Sequence, residues 1–523
     1  MSFPWLSACI VVPVVGSAVV ALLPKRDGSP LPKQVALGFS LLTLAIASLI
    51  AVDYDGAGPR FQLQEQADWI RAFGAHWALG VDGIGVTLLL LTAILTPVVI
   101  IASWNDAEPG SRHQPRWSVN AFFAWMLGLE ALAIGVFEAT DVFLFYVLFE
   151  ATLIPIYFLI GGYGGVNRSY AAAKFLLYNL FGGLLMLAAV IGLYVVSSQQ
   201  LGSSSYLFSD LSQLHLDPTT ERWLFVGFFI AFAIKAPLFP VHTWLPDAAE
   251  GSGPGTAVLM VAVLDKIGAF GMLRFCLGLF PGASQWATPV VLVLAVISIL
   301  YGAMAAIASK HIFRLIAYTS VSHFGLIILG IFVLNTYGGT GSTLYMFNHG
   351  LSTAALFLVT GFLITRRGSA MIPDFGGVEK RAPILAGIFL VAGLSTLSLP
   401  GLSPFVSEFL VLLGAFVNNW WYAVFAVIAI VLSAMYILWM YQRTMTGPIR
   451  PEVATMTDLN VREIVALAPV VALLVFFGFF PKPLTSIINP SVSATLQHVG
   501  VHDPTPPVPA PSAVTGAEQE AHQ

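Results

Sequence analysis

Residues 231–247 read AFAIKAPLFPVHTWLPD. A long apolar run is interrupted midway by Lys235, by Pro237 and Pro240, and then by His242. The rest of the chain explains why that is unusual. Of its 523 residues 57% are hydrophobic and 10% charged, and the mean hydropathy is +0.84, well beyond the needs of a soluble core. Several runs exceed the ~18–20 apolar residues that cross a bilayer as a helix. No regular alternation suggests barrel strands. The fold class expected is therefore an all-α polytopic membrane protein with about fourteen transmembrane helices.

The spans are expected near 3–23, 33–53, 81–102, 119–138, 140–161, 171–196, 222–245, 255–279, 288–308, 313–333, 340–364, 382–416, 420–441 and 461–480. Placing both termini outside puts fifteen Lys and Arg residues in inner connections, among them Lys25, Arg26, Arg112, Arg116 and Arg168, and leaves only Arg60, Arg71, Arg222 and Lys482 outside. That asymmetry fixes the orientation. Lys25 and Arg26 follow the first span rather than precede it, so it does not resemble a cleavable signal peptide and is expected to remain. Cys9 and Cys276 both lie in apolar spans, which leaves no disulfide framework and too few thiolates for an iron–sulfur cluster. A net charge of −4 gives no reason to expect a nucleic-acid partner.

A second stretch partly echoes the first. Residues 394–410, LSTLSLPGLSPFVSEFL, again set two prolines and a charge inside an apolar span: Pro400, Pro404 and Glu408. Five spans separate the seventh helix from the twelfth, so two consecutive five-helix blocks, 119–280 and 281–441, would lie in the membrane as inverted repeats. The remaining segments are 1–118 with the first three spans, 442–500 with the last, and a proline-rich tail, 501–523, that cannot bury a core and is expected to be disordered. Outer loops 54–80 and 198–221 are longer and polar, with nothing resembling a soluble domain. Each proline lacks an N–H, so Pro237, Pro240 and Pro400 should release the carbonyls of Ala233, Ala236 and Thr396. Carbonyls freed at membrane depth need protein or water partners, so helices seven and twelve should be broken near midplane and line a hydrated interior.

Twelve ionisable residues fall in or near the spans: Glu130, Glu138, Asp141, Glu150, Lys174, Lys235, Asp265, Lys266, Arg274, His323, His349 and Glu408. Glu138, Asp141, Lys174 and Arg274 lie near span ends and are expected to snorkel to water. A central charge costs ~2.5–3.5 kcal/mol even on the lenient insertion scale, so the others should pair or face water. Glu150 and Lys235 are opposite in sign, and an ion pair is the economical solution. Closing it would hold the proton on the lysine, and opening it would favour release. Lys266, His323, His349 and Glu408 follow on later spans, each able to carry a proton. A single membrane histidine is ordinarily a packing residue; a dispersed Lys–Lys–His–His–Glu set is harder to explain that way. Asp265 should point about 100° away from Lys266, toward a partner the sequence does not identify. GSGPGT at 251–256 joins two membrane spans with no preceding strand, which argues against nucleotide binding. Asn167-Arg168-Ser169 lies in an inner loop and is a chance glycosylation triplet. No cluster has zinc-ligand spacing. Facing histidines can ligate a haem, and a haem-binding electron-transfer subunit is the alternative of a different class.

FLFYVLFEATLIPIYFLIGGYGG, KAPLFPVHTWLPDA, DKIGAFGMLRF, AYTSVSHFG and LPGLSPFVSEFLVL together resemble the antiporter-like membrane subunits of proton-pumping NADH:quinone oxidoreductase, respiratory complex I, which are related to Mrp-type cation/proton antiporters. The resemblance covers residues 80 to 480. Glu408 and NHGLSTAALF are similar to the M-type chains, and the chain stops soon after span fourteen, without the long lateral helix expected of chain L. SKHIFRLIAYTS departs from the family in having Lys310-His311. The resemblance implies a midplane channel in which Glu150 and Lys235 form a modulating pair, Lys266 the central relay, His323 and His349 the links, and Glu408 the terminal carrier. It implies no cofactor in this chain, with flavin, iron–sulfur clusters and quinone in other subunits. Its partners would be neighbouring membrane subunits in a bacterial plasma membrane. An Mrp-type antiporter subunit is the near alternative.

Overall fold

The apolar runs become helices, and the two stretches that set prolines beside Lys235 and Glu408 become the places where helices stop. The computed structural model describes residues 3–24, 28–111, 114–501 and 503. Lys25, Arg26, Arg112 and almost all of the 501–523 tail lie outside the described residues. Among those described, twelve helices are long and apolar enough to cross a membrane. They are α1 (Trp5–Leu22), α2 (Leu31–Asp53), α3 (Gly83–Ala102), α4 (Val119–Glu138), a continuous Val142–Tyr163 segment formed by α5 (Val142–Ala151) and α6 (Leu153–Tyr163), and α7 (Arg168–Leu201). After the first break come α10 (Pro254–Leu279), α11 (Pro281–Ala308), α12 (Ile312–Phe332) and α13 (Thr336–Arg367). After the second come α16 (Trp420–Met445) and α17 (Val461–Phe479). The two remaining expected spans are the interrupted ones: α8 (Pro218–Lys235) with α9 (Trp244–Gly251), and α14 (Pro383–Thr396) with α15 (Ser403–Asn418).

Burial is unequal among the helices, and this places the polar residues. α10 is enclosed along its whole length, with α12 and α13 nearly so, whereas α1, α2, α7 and α16 present much of their surface outward. Lys266, His323 and His349 ride on the three enclosed helices. An ionisable side chain on an outward-facing helix would meet lipid.

The long loop before α3 departs from expectation. Loop 54–80 contains an antiparallel hairpin of β1 (Gln62–Ile70) and β2 (Ala75–Val81). Its edge pairs onward through bridges Leu79 to Ala139 and Asp141 to Leu207. The hairpin therefore roofs the ends of α4 and α5, and the snorkelling expected of Glu138 and Asp141 does not occur. Glu138 is fully buried, with no partner for either carboxylate oxygen. Asp141 is also buried and caps α5, accepting from the Phe143 and Leu144 amides at 2.9 Å each, and from that of His76. Lys174 is partly exposed but reaches Asp247 at 2.5 Å rather than water alone.

A further helix, α18 (Lys482–Val499), follows the last span. Leu484, Ile488, Val492 and Leu496 repeat every four residues on its buried side, and Ser491 anchors it by accepting from the Gly83 amide at 2.8 Å. Beside it Arg274 is buried rather than snorkelling. Its guanidinium pairs with Asp82 at 2.8 Å and lies over the Phe61 and Phe270 rings. Asp82 Oδ1 meanwhile accepts from the Gly85 amide and so caps α3.

Breaking a buried ion pair by removing one charge costs about 3–5 kcal/mol, whereas replacing both partners with neutral groups is often nearly neutral. Asp82→Asn, which retains a capping oxygen, should therefore lower the melting temperature of the assembled protein, and adding Arg274→Met should restore much of it. An unchanged melting temperature in Asp82→Asn alone would show that the pair is not a strut.

Candidate functional site

Lys235 is the last residue of α8, completely buried. Its ammonium donates to Thr152 Oγ1 at 3.2 Å and sits 4.6 Å from the centre of the Phe149 ring. Phe149 and Thr152 are three residues apart, so they share a helix face. Glu150 is rotated about 100° from Phe149 and turns to α7, where its carboxylate lies against Gly183 so closely that a Cβ there would collide with it. The expected Glu150–Lys235 contact is thus not formed: no ion pair joins them within 4.0 Å, and Glu150 Oε1 has no partner. The two charges still interact through space. Rotation about the α5 axis, which the sequence does not display, separates them.

The break after Lys235 supplies protein partners for the carbonyls it leaves outside the helix. The Ala233 carbonyl, released by Pro237, accepts from the Leu238 amide at 2.9 Å, and the Ile234 carbonyl accepts from the Trp244 indole at 2.9 Å. Leu399 closes the second break in the same way, donating to the Leu394 carbonyl five residues back at 3.0 Å. Inside the first break, His242 is buried among Phe239, Tyr301 and Tyr318, and neither ring nitrogen has a partner. Beyond it, Asp247 binds Lys174 and Arg314, and Arg314 also binds Glu250. These contacts fasten α9 to α7 and α12.

Lys266 lies between two π-helical segments of α10, Leu259–Leu264 and Met272–Cys276. Such turns interrupt the i→i−4 ladder and occur often at functional positions. The Lys266 ammonium donates to the Val261 carbonyl, five residues back, at 2.9 Å. It also lies 2.7 Å from His349 Nδ1 and 4.8 Å from the centre of the Phe324 ring. His349 Nε2 is 3.2 Å from Thr353 Oγ1. The His323 ring stands 5.2 Å from that of His349, nearly perpendicular to it, and 5.8 Å from that of Tyr345. The Tyr345 hydroxyl donates to Glu408 Oε2 at 3.3 Å.

Lys266, His323, His349 and Glu408 are therefore gathered into one buried file, with Tyr345 completing it. Tyr345 carries neither a charge nor an imidazole, so the pattern of charged and histidine side chains in the sequence does not single it out. Its signal is the spacing in YMFNH, which puts it one turn from His349. Asp265 is fully buried with neither oxygen partnered, and it interacts electrostatically with both Lys266 and Lys235. The two lysine centres thus share a carboxyl group between them.

The histidines do not suit a haem. Both His349 nitrogens are engaged, and the perpendicular 5.2 Å contact with His323 leaves no slot for a macrocycle. Among the described residues no group of three or more His, Cys, Asp or Glu is arranged to hold a metal. The Lys310-His311 departure lies in a docked loop, where the Lys310 carbonyl accepts from Ile372 and His311 bridges to Met371.

The family model described as NADH:quinone oxidoreductase/Mrp antiporter, TM, matches residues 139–433, a range that contains Glu150 through Glu408. The NADH-quinone oxidoreductase subunit M of Mycobacterium tuberculosis is 51% identical over 99% of this chain and 98% of its own length. That of Rhodobacter capsulatus is 38% identical over 94% and 96%. Among solved structures, a chain of respiratory complex I from Thermus thermophilus superposes with a TM-score of 0.85 at 32% identity, over 95% of this chain and all of that one. A chain of the Mrp complex from Dietzia sp. shares the fold with a TM-score of 0.83 at 20% identity, with the same coverage.

Overpacking a close helix contact costs about 1–3 kcal/mol. Gly183→Ala should incur that cost in thermal stability and displace the Glu150 carboxylate, and the cost should vanish in a Glu150→Ala background. Equal costs in both backgrounds would show that Gly183 does not seat Glu150.

Proposed function

The chain belongs to the family of membrane subunits of NADH:quinone oxidoreductase and Mrp antiporters, and from that premise we propose that it carries protons along the buried file as subunit M of a bacterial NADH-quinone oxidoreductase. One observation carries the assignment of residues: Lys266, His349, His323, Tyr345 and Glu408 follow one another through the three most enclosed helices and the second broken one. Identity of 51% to a subunit M along nearly the whole chain favours this reading over an Mrp antiporter subunit, whose solved relative supports the fold alone.

In this reading Lys235 is the switch. Here it is held by a hydroxyl and an aromatic face, with Glu150 turned away. Swinging Glu150 toward it would hold the proton on the lysine; the open arrangement leaves the ammonium among neutral partners and favours its transfer inward. Asp265 lies within the influence of both lysines and biases the step to Lys266. From there the proton passes to His349, His323 and Glu408. Quinone reduction elsewhere supplies the driving energy. Flavin, iron–sulfur clusters and quinone belong to other subunits, and this chain holds no cofactor.

We assign 119–280 and 281–441 as the inverted repeats, supported by the matching five-residue closures at the two breaks. Segments 1–118, 442–500 and 501–523 flank them. Both termini face outward across the plasma membrane, on the strength of the inner concentration of Lys and Arg. The partners are the neighbouring membrane subunits.

Lys235→Ala and Glu150→Ala should each reduce NADH-driven proton pumping in membrane vesicles several-fold while the complex remains assembled. Wild-type pumping by an assembled Lys235→Ala enzyme would remove the switch.

A further inference from the structure

Between the histidines and Glu408 there is a gap in the set of charge-carrying side chains. Among the described residues no hydrogen bond, ion pair or ring contact joins either histidine to Glu408; Tyr345 touches both sides. It is buried, one turn from His349 on α13. A phenol hydroxyl donates and accepts at once, so it can pass a proton without holding a charge. His323 Nδ1, which has no partner, supplies an open site on the other side.

The second break adds a further group. Ser398 has φ +59, a left-handed conformation that a serine adopts only when its surroundings impose it. Its amide donates to the Ser395 carbonyl at 3.0 Å, and the Leu399 amide to the Leu394 carbonyl, so the strained turn is fixed from both sides. That turn puts the Ser398 hydroxyl beside both Glu408 and Tyr345, without completing a hydrogen bond to either. The Glu408 carboxyl group therefore has one hydroxyl bonded to it and a second poised next to it.

We propose that Tyr345 is the relay that hands the proton from the histidine pair to Glu408, and that Ser398 is a positioning residue whose strained turn sets the carboxylate to receive and then release it. The inference rests on the proton-file reading above. In the transfer, the Tyr345 O–H bond breaks as a bond from Glu408 Oε2 to hydrogen forms. The phenol oxygen takes a replacement proton, through one bridging water, from the imidazolium of His323. The imidazolium becomes neutral, the carboxylate becomes a carboxylic acid, and the phenol is unchanged. When Glu408 subsequently gives up its proton, rotation of the Ser398 hydroxyl offers a donor to the anion.

The test uses the assembled complex in membrane vesicles, measuring protons pumped per NADH oxidised together with the infrared carboxyl band that Glu408→Gln abolishes. Tyr345→Phe keeps the ring packing and removes the hydroxyl. Pumping should fall about tenfold, the loss expected for removing one hydrogen bond to a charged group from the transfer step, and the Glu408 band should shift. Ser398→Gly keeps the left-handed turn and loses the hydroxyl; it should shift the same band with a smaller loss of pumping. Normal pumping with an unmoved band in Tyr345→Phe, where Glu408→Gln is inactive, overturns the relay and leaves the file intact. Normal pumping in Glu408→Gln overturns the file and the relay together. Should Tyr345→Phe fail to assemble, a fluorinated tyrosine at 345 keeps shape and hydroxyl while raising acidity. A changed pumping rate then supports the relay, and an unchanged one overturns it.

Discussion

Keeping a lysine ammonium inside a bilayer-spanning protein is the constraint from which the rest of this structure follows. Lys266 meets it with three neutral partners: the Val261 carbonyl, the His349 ring and the face of Phe324. The first is reached across the π-helical segment that precedes the lysine. The second requires α13 to pass within hydrogen-bonding distance, and the third requires α12. The most enclosed part of the bundle is thus organised around one side chain, and α10 has no lipid-facing surface because that side chain cannot tolerate one.

Charges at the edges of the bundle are handled differently. Arg274 has Asp82, Lys174 and Arg314 share Asp247, and Arg366 binds Glu463 at 2.5 Å. Each of these is a cation with a carboxylate in contact. Lys235 and Lys266 have none within 4.0 Å. A contact ion pair fixes both charge states and holds helices together, whereas an ammonium seated on hydroxyl, carbonyl and imidazole can lose its proton without leaving a bare carboxylate. The first arrangement suits a frame, the second a path.

Much of this was legible in the sequence, for identifiable reasons. Apolar length located the spans, and prolines beside Lys235 and Glu408 located the breaks, because hydrocarbon permits few alternatives. What stayed hidden depends on rotation and on tertiary cover. Glu150 and Lys235 have complementary charges, but one step around α5 directs Glu150 to Gly183 and leaves Thr152 facing the lysine. Glu138, Asp141 and Arg274 occupy span ends where water is normally available, and the hairpin and α18 close over them. α18 carries Pro490, which disguised its four-residue apolar repeat. Tyr345 is a neutral residue among charged ones, and only the folded distance to Glu408 brings it into the proposed file.

The proposed proton file runs through Lys266. The most direct measurement is the ratio of protons translocated to NADH oxidised by the assembled complex carrying Lys266→Met, in sealed vesicles alongside wild type. The ratio should fall with all subunits still present. An assembled Lys266→Met complex with the wild-type ratio would contradict the proposed file.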